Sequence, residues 1–124
     1  MANSPEHKVQ VSIVKWLRIV MPMCMVQHSR NEVMKRGSTG MREVVKAKAG
    51  GMMPGFPDLI CLPYASVGPF FLEVKSARGS TSSTQKQVHE MLRERGYKVA
   101  VVKTIDDVRD FLKTENIGFN EVQL

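Results

Sequence analysis

Gly55-Phe56-Pro57-Asp58-Leu59-Ile60, and ten residues after it Phe70-Phe71-Leu72-Glu73-Val74-Lys75, are the two stretches on which the reading of this chain turns. Each is a short apolar run interrupted by charge, the pattern of a strand that ends at a polar place. Side chains alternate along a strand, so Glu73 and Lys75 share one face, with Cα atoms roughly 7 Å apart. Phe70, Leu72 and Val74 take the other face and point to a core. Asp58 stands where a proline-containing turn enters the run Leu59 to Leu62. Two carboxylates and an ammonium at the rim of a small sheet are the materials of a metal site with a lysine beside it.

The segments downstream support a sheet. Pro63-Tyr64-Ala65-Ser66-Val67-Gly68-Pro69 is punctuated as a turn and joins two antiparallel neighbours. A polar loop, Ser76 to Thr81, leads to Ser82-Ser83-Thr84-Gln85, which has capping-box spacing. Val88, Met91 and Leu92 then supply the apolar stripe of a helix ended by Gly96. Tyr97 to Lys103 is a β-branched strand, and Asp106-Asp107 open a last helix with Val108, Phe111 and Leu112 on one face. The tail from Thr114 is weakly patterned. A strand–helix–strand unit across 70–103 implies a parallel pair with a right-handed crossover. The hairpin before it implies antiparallel pairing, so the sheet is mixed.

Upstream, Ser4-Pro5-Glu6 is a strong helix start: a serine N-cap, proline in the first position, an acid in the first turn. Glu6, Val9, Gln10, Ile13, Leu17 and Val20 recur at helical spacing, flanked by Val14 and Trp16, and predict a helix from about Pro5 to Val20. Glu6 either complements the helix dipole or belongs to a site. Met23 to Ser29 reads as a buried strand that turns polar at its end, where His28, Ser29, Arg30 and Asn31 arrive together; their role stays open. Arg36-Gly37-Ser38-Thr39-Gly40 is a basic loop, and Met41 to Ala49 a short helix stopped by Gly50-Gly51 with its cations exposed. The order is α-β-(short α)-β-β-α-β-α, an α/β domain with helices covering a mixed sheet.

The 124 residues suit one domain spanning 1–124. No apolar run approaches the roughly 20 residues needed to cross a bilayer, so no membrane partner is expected. Cys24 and Cys61 lie in apolar settings without a CxxC pair, which suggests two buried thiols in a reduced, cytoplasmic protein. The net charge of +6 is uneven: residues 1–50 carry nine Lys and Arg against three acids, whereas residues 51–124 carry nine of each sign. A localised basic region fits a polyanion, because Lys and Arg gain by releasing counterions from phosphates. Lys35, Arg36, Arg42, Lys46, Lys48 and Arg78 are the candidate nucleic-acid contacts. With few aromatic residues, stacking on an aromatic platform is not the evident mode, and backbone readout fits better.

Together, Asp58 and Glu73 could hold one divalent cation of the Mg²⁺ type, with water filling the other positions. Lys75 could orient or deprotonate the attacking water, or neutralise charge in the transition state. Glu6 and Gln85 could complete the site. Each also has a plainer reading: an exposed Glu73–Lys75 ion pair worth well under ~1 kcal/mol, a turn aspartate, a dipole acid, a glutamine occupied by its own capping box.

Pro57-Asp58 followed by Glu73-Val74-Lys75 matches the PD-(D/E)xK nuclease signature. Gly55-Phe56-Pro57-Asp58-Leu59, Leu72-Glu73-Val74-Lys75-Ser76, Ser82 with Gln85, and the Gly96-Tyr97-Lys98-Val99 strand resemble the VRR-NUC group of that superfamily. The likeness runs from about Pro5 to Leu112. It implies a restriction-endonuclease-like core and a Mg²⁺- or Mn²⁺-dependent endonuclease acting on DNA. Asp58 and Glu73 become metal ligands with the Val74 carbonyl as a third, Lys75 the catalytic lysine, Glu6 the helix acid and Gln85 an accessory residue. Stand-alone, phage-type members are similar to dimeric Holliday-junction resolvases, which implies a homodimer on branched DNA. The alternatives are a nickase, flap or single-strand nuclease of the same fold, or a non-catalytic basic DNA-binding module.

Overall fold

A computed structural model describes residues 4–29 and 40–121. The elements are α1 (Pro5–Val20), β1 (Met25–His28), α2 (Met41–Ala49), β2 (Leu59–Leu62), β3 (Phe70–Val74), α3 (Ser83–Glu94), β4 (Lys98–Val102) and α4 (Ile105–Thr114). This is the expected order, and the proposed basic loop at Arg36 to Thr39 falls outside the described residues, as do Arg30 and Asn31.

The four strands form one sheet in the order β1-β2-β3-β4. β1 with β2 and β2 with β3 are antiparallel, and β3 with β4 is parallel, as the hairpin and the strand–helix–strand unit require. On one face Leu59, Cys61, Phe70, Leu72, Val74 and Val102 meet Ile13, Leu17 and Val20 of α1 and Val108 and Leu112 of α4. Full burial of each such side chain stabilises the fold by about 1.5–3 kcal/mol.

α1 begins as its sequence specifies: the Ser4 hydroxyl accepts from the His7 N–H at 3.0 Å, and Pro5 opens the helix. An N-cap of this kind contributes about 1 kcal/mol. Pro22 follows the last turn and has no N–H to continue it. Trp16 is buried with the stripe rather than flanking it, under the Arg109 guanidinium 5.4 Å from its ring centroid.

Two expectations are corrected, and the weakly patterned tail is given a place. The tail after Thr114 is docked: Ile117 is buried, Phe119 lies 5.8 Å from Trp16 between ring centroids, and the Asn120 N–H donates to the Val20 carbonyl at 2.8 Å. Anchors on scattered residues leave no periodicity to read. β1 is a half-exposed edge strand instead of a buried one, with Met23 and Met25 at 72% and 68% exposure. Apolar composition alone does not separate an edge from a centre. Of the two thiols only Cys61 is fully buried, Cys24 being half-buried; both are free. The hydrogen bond between them lowers Cys24 and, together with burial, pushes Cys61 far above the ordinary thiol range.

Gly55 ties the Asp58 loop to α3. Its φ is +85°, and a Cβ there would stand 2.8 Å from the Thr84 carbonyl oxygen. Only glycine allows both that backbone and that approach. The loop is thereby set against the first turn of α3, which also supplies Gln85.

Candidate active site

β3 is buried along its whole length, on both faces. Its second face carries Phe71 and Glu73 against α3, with Phe56, Phe71 and Tyr97 packed edge to face at 5.6 and 5.9 Å between centroids. Glu73 is therefore no rim residue. It is 0% exposed, and Lys75 only 7%. The reading of an exposed ion pair is overturned, because α3 lies over the strand face that the alternation alone left open.

Burial makes the partners obligatory, since an unpaired ion in a low-dielectric setting is very costly. Glu73 has three. Its Oε2 accepts from Gln85 Nε2 at 3.2 Å and faces Lys75 Nζ at 3.6 Å, while Oε1 lies 3.3 Å from His89 Nε2. An ionised carboxylate only accepts, so when Glu73 is ionised the donor in that contact is His89 Nε2.

Gln85 closes the capping box its spacing predicts and also touches Lys75 and Glu73. Its N–H donates to Ser82 Oγ at 3.1 Å, and its Oε1 accepts from the Ser82 N–H at 2.9 Å, closing the capping box at the start of α3. The same Oε1 accepts from Lys75 Nζ at 3.0 Å. A glutamate would satisfy the cap equally well. Only glutamine also has an NH₂ to donate to Glu73, and it adds no third negative charge.

Asp58 is 2% exposed, and its Oδ2 accepts from the Val74 N–H at 2.8 Å. The strand registers pair Leu59 with Leu72 and with His28. Extended by one residue, they line up Ser29, Asp58 and Glu73 across three strands, and the Ser29 N–H donates to the Asp58 carbonyl at 2.8 Å. Asp58, Glu73, Lys75 and Gln85 are thus brought to one end of the sheet.

The other candidates stand on other elements. Glu6 is half-buried in the first turn of α1, on the stripe that continues to Ile13 and Leu17. Arg42, Lys46 and Lys48 are exposed on α2, which buries no residue, and Arg78 is exposed in the loop after β3. Lys35 and Arg36 fall outside the described residues.

His89 is the residue that sequence reasoning missed. Gln85, Val88, His89 and Leu92 follow the helical spacing i, i+3, i+4, i+7. Choosing by apolarity puts Met91 in the stripe instead, yet Met91 is 40% exposed and His89 is 2% exposed. The signal is a histidine at a core-facing position one turn after Gln85.

The donor set suits a hard cation. Among the described residues no group of three or more His, Cys, Asp or Glu could hold a metal ion. Two buried carboxylates with a strand carbonyl nearby offer oxygen only, which matches Mg²⁺ or Mn²⁺ completed by water better than it matches zinc.

A mixed sheet with helices on both faces, with an aspartate before one strand and Glu-x-Lys on the next, defines an α/β protein of restriction-endonuclease-like fold. The VRR-NUC domain model matches residues 4–105. The chain therefore belongs to the VRR-NUC family, whose domain is a nuclease domain. A solved structure described as a VRR_NUC domain protein has the same fold, with TM-score 0.68 at 24% sequence identity over 100% of both chains. Comparison with curated proteins found no match.

Proposed function

We propose that this nuclease is a Mg²⁺- or Mn²⁺-dependent endonuclease that hydrolyses DNA phosphodiesters in branched substrates, as a homodimer of the junction-resolvase kind. The observation that carries the reading is the buried Glu73 carboxylate, held at once by Lys75, Gln85 and His89. Four polar groups packed at one sheet end cost stability relative to an apolar core, and a site that needs preorganised charge accounts for them.

In this reading Asp58, Glu73 and the Val74 carbonyl hold the cation, which when bound supplies charge stabilisation at the phosphoryl oxygens. The Val74 N–H fixes the orientation of the Asp58 carboxylate. Gln85 keeps the Lys75 ammonium beside Glu73, so that Lys75 orients the attacking water or offsets the developing negative charge. Glu6 is the α1 acid of the site. Lys35, Arg36, Arg42, Lys46, Lys48 and Arg78 neutralise flanking phosphates without reading sequence. The chain acts as one domain in the cytoplasm, and a two-fold dimer places two such sites for two strands. No helix among the described residues is long and apolar enough to cross a membrane.

The test is a panel of four-way junction, flap, nicked, duplex and single-stranded DNA with Mg²⁺, with Mn²⁺ and with neither. Metal-dependent cutting of the junction above the other substrates is expected, and Asp58→Ala or Glu73→Ala should abolish it while DNA binding persists. Preference for a flap or single strand removes the resolvase assignment. Salt-sensitive binding with no cutting leaves a DNA-binding module on a nuclease fold.

A further inference from the structure

Beside Asp58 the molecule has a cleft of about 780 Å³, lined by Ser29, Lys46, Ala47, Met52, Met53 and Phe56 among others. Phe56 packs on Phe71, two residues before Glu73 on β3, so the cleft opens on the same side of the sheet as the buried carboxylate. Ser29 stands one cross-strand step from Asp58. Its hydroxyl oxygen is buried and has no hydrogen-bond partner among the described residues. A hydroxyl buried without a partner costs stability that alanine would avoid, so a partner from outside is the natural account of it.

We infer that this cleft receives an unpaired nucleobase of the DNA next to the scissile phosphate. The inference rests on the nuclease reading and narrows its substrate. A base has two flat apolar faces and a polar edge. Met52, Met53 and Phe56 offer polarizable thioether and aromatic surface for the faces, and the Ser29 hydroxyl can either donate to or accept from the edge. That pairing tolerates all four bases. A phosphate has no use for apolar walls, and an alkyl chain has none for the hydroxyl. Lys46, exposed on α2 at the cleft, meets the backbone phosphate of the same nucleotide. This is one base in a slot rather than a run of bases on an aromatic platform. A paired base reaches the slot only after unstacking, and that cost is least where pairing is already broken. The cleft thereby selects branch points, flaps and bulges over continuous duplex.

Binding is measured without divalent metal to three probes of one sequence: a full duplex, the duplex with one unpaired adenine, and the duplex with one unpaired abasic residue. Wild type should bind the unpaired adenine about tenfold more tightly than the other two, the scale of one stacked base. Ala47→Phe narrows the cleft from its helix wall. It should remove that preference and leave the affinity for full duplex as it was. Ser29→Ala should weaken the adenine probe severalfold while its melting temperature stays level or rises, and it carries the test should Ala47→Phe not fold. Equal binding of adenine and abasic probes by wild type overturns the inference, as does a folded Ala47→Phe that keeps the preference. The same probes are then incubated with Mg²⁺. Cutting without base preference overturns the cleft alone; base preference with no cutting overturns the nuclease reading and leaves the cleft standing.

Discussion

α2 and α3 carry similar residue types and use them in opposite ways. α2, Met41–Ala49, buries nothing: Arg42, Lys46 and Lys48 all stand in solvent. α3, Ser83–Glu94, buries Gln85, Val88 and His89, and two of those three are polar. The difference follows from what each partner requires. Phosphate charge in water is met well enough by mobile cations, whose gain comes from released counterions. A reacting phosphodiester needs charge that is already in place, dry and held by fixed hydrogen bonds. On the function proposed here α2 meets the first requirement and α3 the second.

The contrast breaks most sharply at Lys75. Lys75→Ala should lower the single-turnover cleavage rate by on the order of 10²–10⁴ with DNA affinity nearly unchanged. Equal loss of affinity would place Lys75 with the α2 cations instead of the α3 network.

His89 comes next. Removing it leaves Glu73 Oε1 without the partner now at 3.3 Å, and outer partners of a metal-binding carboxylate typically matter by about ten- to a hundredfold. His89→Ala should raise the Mn²⁺ concentration required for half-maximal cleavage by about that factor and lower stability by about 1–3 kcal/mol. His89→Gln, whose amide can still donate, should recover part of both. A variant that loses stability but keeps its metal requirement would reduce His89 to a packing residue.

On α2 the effect should be smaller and of another kind. Lys46→Glu with Lys48→Glu should weaken DNA binding and flatten the slope of log Kobs against log salt by about 0.9 for each phosphate no longer neutralised. The cleavage rate at saturating DNA should not change. A fall in that rate would bring α2 into the chemistry and dissolve the contrast.

The smallest effect sharpens the reading of α3 itself. Met91→Lys, at an exposed position two residues from His89, should shift stability by no more than about 0.5 kcal/mol. A loss of several kcal/mol on chemical unfolding would mean that Met91 faces the core after all.

Much of this is legible in one dimension because it is local. Ser4-Pro5 starts α1, Ser82-x-x-Gln85 starts α3, and Gly55 marks a turn, each through interactions between residues near in sequence. The strand pairings follow from the turn at Pro63 to Pro69 and from the spacing around α3. The carboxylate pair and Lys75 show themselves as charges inside apolar runs. His89 does not, because a polar residue on an amphipathic helix is ordinarily assigned to water. The docked tail does not either, because Ile117, Phe119 and Asn120 are ordered by α1, about a hundred residues away along the chain.

By itself, then, the sequence determined where the elements begin and end and which residue types could bind a metal and a phosphate, since caps, turns and alternation act over a few residues. Tertiary structure alone decided that the Glu73 face is dry, that the capping Gln85 also holds two charges, and that His89 is among the partners of Glu73. Burial is the reason. Whether a carboxylate stands in water or against a helix depends on which element covers it, and that is decided only when α3 packs across β3 and β4.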